Sequence, residues 1–415
     1  MVNTKKSWKT NYTALLLAET LAITGFAVSM PVIPLYLKDD IGLSDPNTLK
    51  IWTGVIQSTS AVMLAIFSPI WGHIADLYSK RAMLLRAMGG GMIVVSAMSF
   101  VANPWQLLVL RGIQGALTGT AAAAIVLVTG IVPQASIPLA LGLLQTGIAV
   151  GNSLGPLIGG LVSDFLGRRI AFLCTGFILL CAFIIVACFV HDEEKIREEE
   201  LSLDNDGKYI KKKTTLSARA KKFIPNLGPI LSSTSLLSLI VVAFAIQVAN
   251  NTANPILPLF INQISQGTRF LGSSTGIVLG AGAAATAIAA IISGKFAGKI
   301  GYWKTLCFCL AAACVAIIPQ AFSQNIYQLC VIHIAASFFI GGAVPVMQVL
   351  ISESTERRHQ GSVFGWTSSA SMLGGALGPM IGSAAAMISY HAVFPITSLI
   401  LGLASLGLFL RRRKK

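Results

Sequence analysis

GIAVGNSLGPLIGG, from Gly147 to Gly160, decides how the rest of this chain is read. Its glycines fall at 147, 151, 155 and 159, with Pro156 and Gly160 beside the last two. That spacing puts them on one stripe of a helix, where a second backbone can come very close. In water such a run of Gly and Pro weakens a helix, but inside a bilayer small residues at every fourth position let helices pack tightly. The pattern returns downstream. Gly374, Gly378, Pro379 and Gly382 in GGALGPMIG repeat Gly151, Gly155, Pro156 and Gly159, each displaced by 223 residues. Two halves built to one plan are expected, with the glycine seam as the sliding contact between them.

Of 415 residues, 54% are hydrophobic and 11% charged, against roughly one quarter charged in soluble domains. The chain reads as an all-α membrane protein. About twelve apolar segments reach spanning length, roughly at 12–37, 52–72, 84–102, 105–130, 137–163, 169–190, 231–262, 271–294, 304–323, 326–351, 361–388 and 391–410. They divide into an N-terminal six-helix bundle (1–190), a polar central loop (191–228) and a C-terminal six-helix bundle (229–415). The first segment carries Glu19, continues through Pro31 and Pro34 and has no small-residue cleavage site before Lys38, so a removable signal peptide is not expected. Trp8, Trp52, Trp71, Trp105 and Trp303 sit at span ends, where an amphipathic ring suits the headgroup layer.

A formal net charge of +15 raises nucleic acid as a partner, and its distribution removes it. With the first terminus in the cytoplasm, 25 of the 31 basic residues fall on the cytoplasmic turns, the central loop and the two tails. That bias predicts a multi-pass protein of the cell membrane with both termini cytoplasmic. The central loop holds eight of the sixteen acids and two lysine runs, and is expected to be a solvated, flexible tether. All seven cysteines lie in apolar segments without ligand spacing or companion histidines, so they read as buried inert thiols, with no metal and no cofactor.

Several motifs carry more. MPVIPLYL in the first span and NPILPLF in the seventh match Pro31 and Pro34 to Pro255 and Pro258 at an offset of 224. Proline-interrupted spans at corresponding places in two repeats point to a central transport site, although plain kinks at the outer ends give the same pattern. Gln247, Asn250, Asn251 and Asn254 share one face of span seven, while span ten adds His333 and Gln348. A lone intramembrane histidine more often packs or hydrogen-bonds than carries protons. Ser153 sits in a G-x-S-x-G pattern, but no strand, turn and helix surround it and no His and Asp accompany it, so a hydrolase is not indicated. GAGAAA at Gly280 to Ala285 lies inside an apolar span and is no dinucleotide fingerprint, and no ATP-binding loop is present.

GHIADLYSKRAMLL, from Gly72 to Leu85, resembles the loop between helices 2 and 3 of the major facilitator superfamily, G-x-L-A-D-R-x-G-R-K. Gly72, Ala75, Asp76, Lys80 and Arg81 match, whereas Leu77 and Ser79 depart from it. RGIQGALTG resembles the helix 4 motif R-x-x-x-G through Arg111 and Gly115, and the opening stretch resembles the helix 5 antiporter motif G-x-x-x-G-P-x-x-G-G. Within the superfamily the chain is similar to the twelve-span drug:proton antiporters and, through SWKTN, MPVIPLYL, MLLR and GPLIGG, to the MdtG-like multidrug resistance group.

The resemblance implies a major facilitator fold of two pseudo-symmetric six-helix bundles, alternating access, a monomer, and export of small amphipathic substrates in exchange for protons. It implies no enzyme. An importer or a lipid or glycolipid translocase of the same fold is the alternative. One charge crossing 100 mV is worth about 2.3 kcal/mol, enough to help drive export. Glu19, the one acid well inside a span, is the expected proton carrier. Arg111, at about 2.5 to 3.5 kcal/mol to insert near mid-span, should face a cavity or a partner, and the first and fourth helices of this fold would let the two approach. A local hydroxyl such as Thr20 is the plainer partner for Glu19. Phe26, Gln57, Asn250, Asn254 and Gln348 are expected to line the substrate cavity. Gating falls to Gly72, Asp76, Lys80 and Arg81 and to Gly151, Gly155, Pro156, Gly159, Gly378 and Pro379, with Asp76 clamping the N-terminus of a neighbouring helix.

Overall fold

A chain this apolar must pair its backbone polar groups internally once it lies in lipid, and helices do so within a single segment. The computed structural model describes residues 4–77, 80–191, 201–203, 209–211, 233–265, 270–355 and 360–412. Its first half contains α1 (Thr4–Val28), α2 (Val32–Leu35), α3 (Pro46–Leu77), α4 (Lys80–Ala97), α5 (Pro104–Leu117), α6 (Thr120–Ile131), α7 (Ile137–Phe165) and α8 (Arg168–Phe189). The second contains α9 (Thr234–Thr252), α10 (Leu257–Ile264), α11 (Leu271–Ile300), α12 (Tyr302–Ile317), α13 (Ile326–Glu353), α14 (Gln360–Ile388) and α15 (Val393–Arg412). In the central segment, Leu201–Leu203 (β1) and Tyr209–Lys211 (β2) pair antiparallel as a small ribbon.

Among the described residues, eleven segments are long and apolar enough to cross a membrane. The twelfth, fourth in chain order, is split into α5 and α6, which corrects the single helix expected over 105–130. Gly119 at the break has φ +120°, a conformation that glycine adopts without strain. Spans one and seven are broken too. In span one α1 stops at Val28 and α2 starts at Val32, after Pro31, and the π-type turn Tyr36–Asp40 follows; in span seven α9 stops at Thr252 and α10 starts at Leu257, after Pro255. The two prolines remove backbone donors at equivalent places, so both spans end in a short, re-aimed segment.

Outward-facing side chains such as Phe177, Ile291, Val315 and Leu403 are all more than half exposed, an apolar surface suited to lipid rather than water. Inside, each half has its own core, and the two cores trade one residue. Leu35 of α2 joins the cluster built from α9, α12 and α13, while Leu259 of α10 joins the cluster of Ile33, Tyr36, Leu37, Ile56 and Phe172. Leu35 and Leu259 are 224 residues apart, the displacement of the flanking prolines. The halves meet along two helix pairs, α7 with α11 and α3 with α14. With twelve crossings the start of α1 and the end of α15 lie on one face, and the turn between α7 and α8 lies on the other, called here the opposite face.

Candidate functional site

The glycine stripe acts inside a bundle, not between bundles. A Cβ at Gly151 would stand 3.0 Å from Ile23, at Gly155 2.4 Å from the Ala27 Cβ, and at Gly159 2.1 Å from the Val28 carbonyl oxygen. All three neighbours belong to α1. In the second half, Gly374, Gly378 and Gly382 press on Phe244, Val248 and Thr252 of α9 in the same way. The expectation of a sliding seam between the halves is therefore corrected. The stripe binds span five to span one, and its repeat binds span eleven to span seven.

The contact between halves is carried by the neighbouring face of α7. A Cβ at Gly160 would meet the Gly272 carbonyl at 2.2 Å, and one at Gly276 would meet the Pro156 carbonyl at 2.3 Å. Ser153 Oγ donates to the Gly280 carbonyl at 2.8 Å. On the other helix pair a Cβ at Gly54 would stand 2.8 Å from the Pro379 carbonyl and 2.3 Å from Ser383 Oγ. Pro156 and Pro379 are thus equivalent, each facing a glycine of the other half, and both contacts lie toward the opposite face.

Glu19 is fully buried on α1. One carboxylate oxygen accepts from the Thr120 hydroxyl at 2.9 Å, and the other has no partner among the described groups. Thr120 is the first residue of α6, so the carboxyl sits at the N-terminal, positive end of a half-helix created by the break in span four. The partner is Thr120 and not the adjacent Thr20, whose hydroxyl donates to the Leu16 carbonyl. Arg111 is also buried, but it donates to Gln114 Oε1 at 2.8 Å one turn along α5. Glu19 and Arg111 form no ion pair, which corrects their expected approach. Nine residues separate Arg111 from Thr120, roughly 13 Å along the span at 1.5 Å per residue.

The expected lining residues are divided. Phe26 inserts against Gly91 of α4, where a Cβ would stand 2.8 Å from its ring, and so packs within its own bundle. Gln57, Asn250 and Asn254 are half-buried. Asn250 donates to Gln247 Oε1 at 3.4 Å, while Gln247 and Asn251 lie against Gly374 and Gly378 of α14, so half of that polar face is occupied by span eleven. Gln348 is exposed, on the side of α13 away from its buried residues Met347, Leu350 and Ile351. His333 packs on Gly282 and bonds Gln320 Oε1 at 3.1 Å, a structural role.

Of the expected gate, Gly72 and Asp76 lie in the last turns of α3, and their side-chain surroundings lie outside the described residues. Lys80 reaches toward Gly130 of α6. Arg81 donates to the Val186 and Ala187 carbonyls in the last turn of α8, where a cation suits the negative helix end. Both therefore act within the first bundle. Trp71 corrects its reading as a headgroup anchor, for its Nε1 donates at 2.6 Å to the Ala116 carbonyl beside the break in span four, and the Arg86 guanidinium stacks 3.6 Å above its ring. Glycine and proline flags could not reveal that link, because its partners come from three spans.

The family model described as Major Facilitator Superfamily matches residues 15–319 and 239–415. The chain belongs to the major facilitator superfamily. A relative from Enterobacter lignolyticus named multidrug resistance protein MdtG is 30% identical over 409 residues, covering 98% of this chain and 93% of its own. A protein of the same name from Serratia proteamaculans is 31% identical over 395 residues, covering 95% and 92%. Among solved structures, a bacterial homologue of the human lysosomal transporter Spinster, described as inward-facing and unoccupied, aligns with TM-score 0.75 at 16% identity over 98% of both chains. The nucleoside transporter NupG aligns with TM-score 0.74 at 10% identity, over 96% of this chain and 98% of its own. A major facilitator is a membrane transporter of small-molecule substrates, not an enzyme.

Proposed function

We propose that this chain exports amphipathic small molecules in exchange for protons, by alternating access, with Glu19 as the proton carrier. The observation that carries the reading is the setting of that carboxyl. It is sealed from solvent on a helix next to a broken span, with one oxygen held by Thr120 and the other without a partner among the described residues. Burial opposes a charge there, while the hydroxyl and the half-helix end favour one. A carboxyl between opposed influences can exist in both forms, as a carrier must. The intact G-x-x-x-G-P-x-x-G-G motif and the multidrug resistance relatives support export of drug-like compounds.

Residues 1–190 and 229–415 are the two rocking units, working as a monomer, and 191–228 tethers them. Termini in the cytoplasm follow from the distribution of basic residues. The interlocked contacts between Pro156 and Gly276 and between Pro379 and Gly54 then close the outer side, which supports a gating role for both prolines. Asn250 and Asn254, half-buried at the break in span seven, and Gln57, half-buried on α3, are the polar groups left to orient substrate.

The test is export of a cationic dye by a pump-deficient bacterium expressing the chain. Expression should lower dye accumulation, a protonophore should abolish the difference, and Glu19→Gln should cut it more than tenfold with membrane insertion unchanged. Dye export by Glu19→Gln at the wild-type rate would falsify the carrier role. Greater accumulation in energised cells would show an importer, and lipid movement in liposomes a translocase.

A further inference from the structure

The turn after span five repeats the turn after span two. Gly160, Asp164, Gly167, Arg168 and Arg169 stand 88 residues after Gly72, Asp76, Ser79, Lys80 and Arg81. Three spans separate the two turns, so they lie on opposite faces, as inverted three-helix repeats within one bundle require. The second copy also has glycine at the position where the first has serine, and Gly167 uses it, at φ +99°.

This second copy makes a contact from one bundle to the other. Asp164, near the end of α7, accepts the Gly272 N–H on Oδ1 at 2.9 Å and the Ser273 N–H on Oδ2 at 2.6 Å. Those are the second and third residues of α11, whose own N-cap position is Phe270, with no side-chain cap. Helix N-termini leave their first backbone donors open, and an acceptor there is stabilising. Here the acceptor comes from the other half of the molecule. The fit leaves no room to spare, since a Cβ at Gly272 would lie 2.8 Å from both Asp164 Oδ1 and the Gly160 carbonyl. Arg168 and Arg169 do not compete for the carboxylate. They pair with Asp39 and Asp40 at the end of span one, within the first bundle.

We propose that Asp164 is the latch of the opposite face: it caps α11 only while the bundles are closed there, and opening that face requires the two N–H bonds to break. Leu259 reports on the latch, because it belongs to α10 but is buried, 3% exposed, in the core of the first bundle. Parting the halves on the opposite face must expose it. The inference rests on the interface alone and survives whichever way the Glu19 experiment turns out.

The test uses the full chain in nanodiscs, with its seven cysteines replaced and Leu259→Cys as probe, read by the rate of labelling with a maleimide. Asp164→Ala should label at least tenfold faster than the parent. Asp164→Asn, which keeps one acceptor oxygen, should fall between. Gly272→Ala disturbs the same contact from α11 and should match Asp164→Ala, so it decides the matter if Asp164→Ala fails to fold. Arg168→Ala loosens the same turn without touching the latch and should label at the parent rate. Parent-rate labelling in Asp164→Ala and Gly272→Ala overturns the proposal, and so does equal acceleration by Arg168→Ala, which would make the effect one of the turn as a whole.

Discussion

Thr120 is the side chain on which the setting of Glu19 turns. A hydrogen bond to an ionised group contributes about 1.5 to 3 kcal/mol, and among the described residues this is the single side-chain bond made to the fully buried carboxyl. Thr120→Val keeps the shape of the side chain and removes the donor. It should leave expression and melting temperature near wild type while slowing proton-driven export by about tenfold, and it should move the pH dependence of transport. Thr20→Val, beside Glu19 in sequence, should change neither, because Thr20 already serves the Leu16 carbonyl. Transport assays over a pH series with both variants separate the two hydroxyls. An unchanged pH profile in Thr120→Val would show that Thr120 does not hold the carrier.

At the scale of elements, the glycine stripe of α7 is a packing device, and its consequences for stability differ sharply with position. Gly155 and Gly159 face α1 at distances that no side chain fits, whereas among the described residues nothing lies within 4 Å of a Cβ at Gly142 on the same helix. Gly155→Leu should therefore destabilise the first bundle by about 1 to 3 kcal/mol or more, the usual cost of overpacking, and lower its melting temperature by several degrees. Gly142→Leu should be close to neutral, and thermal unfolding in detergent compares them directly. The stripe, its repeat and the proline breaks of spans one and seven were all legible in the sequence, because spacing and proline act locally. The break in span four was not. GALTG keeps the apolar character of a span, and what sets the break apart is its partners on other helices, Glu19 for the Thr120 hydroxyl and Trp71 for the Ala116 carbonyl. Partners in space were equally hidden: the stripe predicted a close backbone without saying whose, and Arg111 offered a charge without revealing that Gln114 would take it. Asp164 could have been found, since the 88-residue repeat is written in the chain, but its neighbours match only when the two turns are read as inverted copies.

For the whole molecule, the twofold relation between halves makes a prediction that neither half makes alone. Gly276 meets the Pro156 carbonyl and Gly54 meets the Pro379 carbonyl, glycines 222 residues apart facing prolines 223 apart. Both contacts lie toward the opposite face, so a wedge at either one opposes the same closure. Leucine at Gly54 or at Gly276 should force the opposite face apart while each bundle keeps its own core. Such variants should insert and stay monodisperse, lose transport by more than tenfold, and expose Leu259→Cys to labelling, because the short segments of spans one and seven that trade Leu35 and Leu259 must separate with the bundles. Gly155→Leu, a wedge of equal size placed inside one bundle, should reduce melting temperature without raising that labelling. Equal phenotypes from the paired wedges, distinct from the intrabundle one, are what two rigid halves hinged about a shared centre require. If Gly54→Leu and Gly276→Leu instead lowered stability and left Leu259→Cys protected, the two halves would have to be treated as one continuous packing unit.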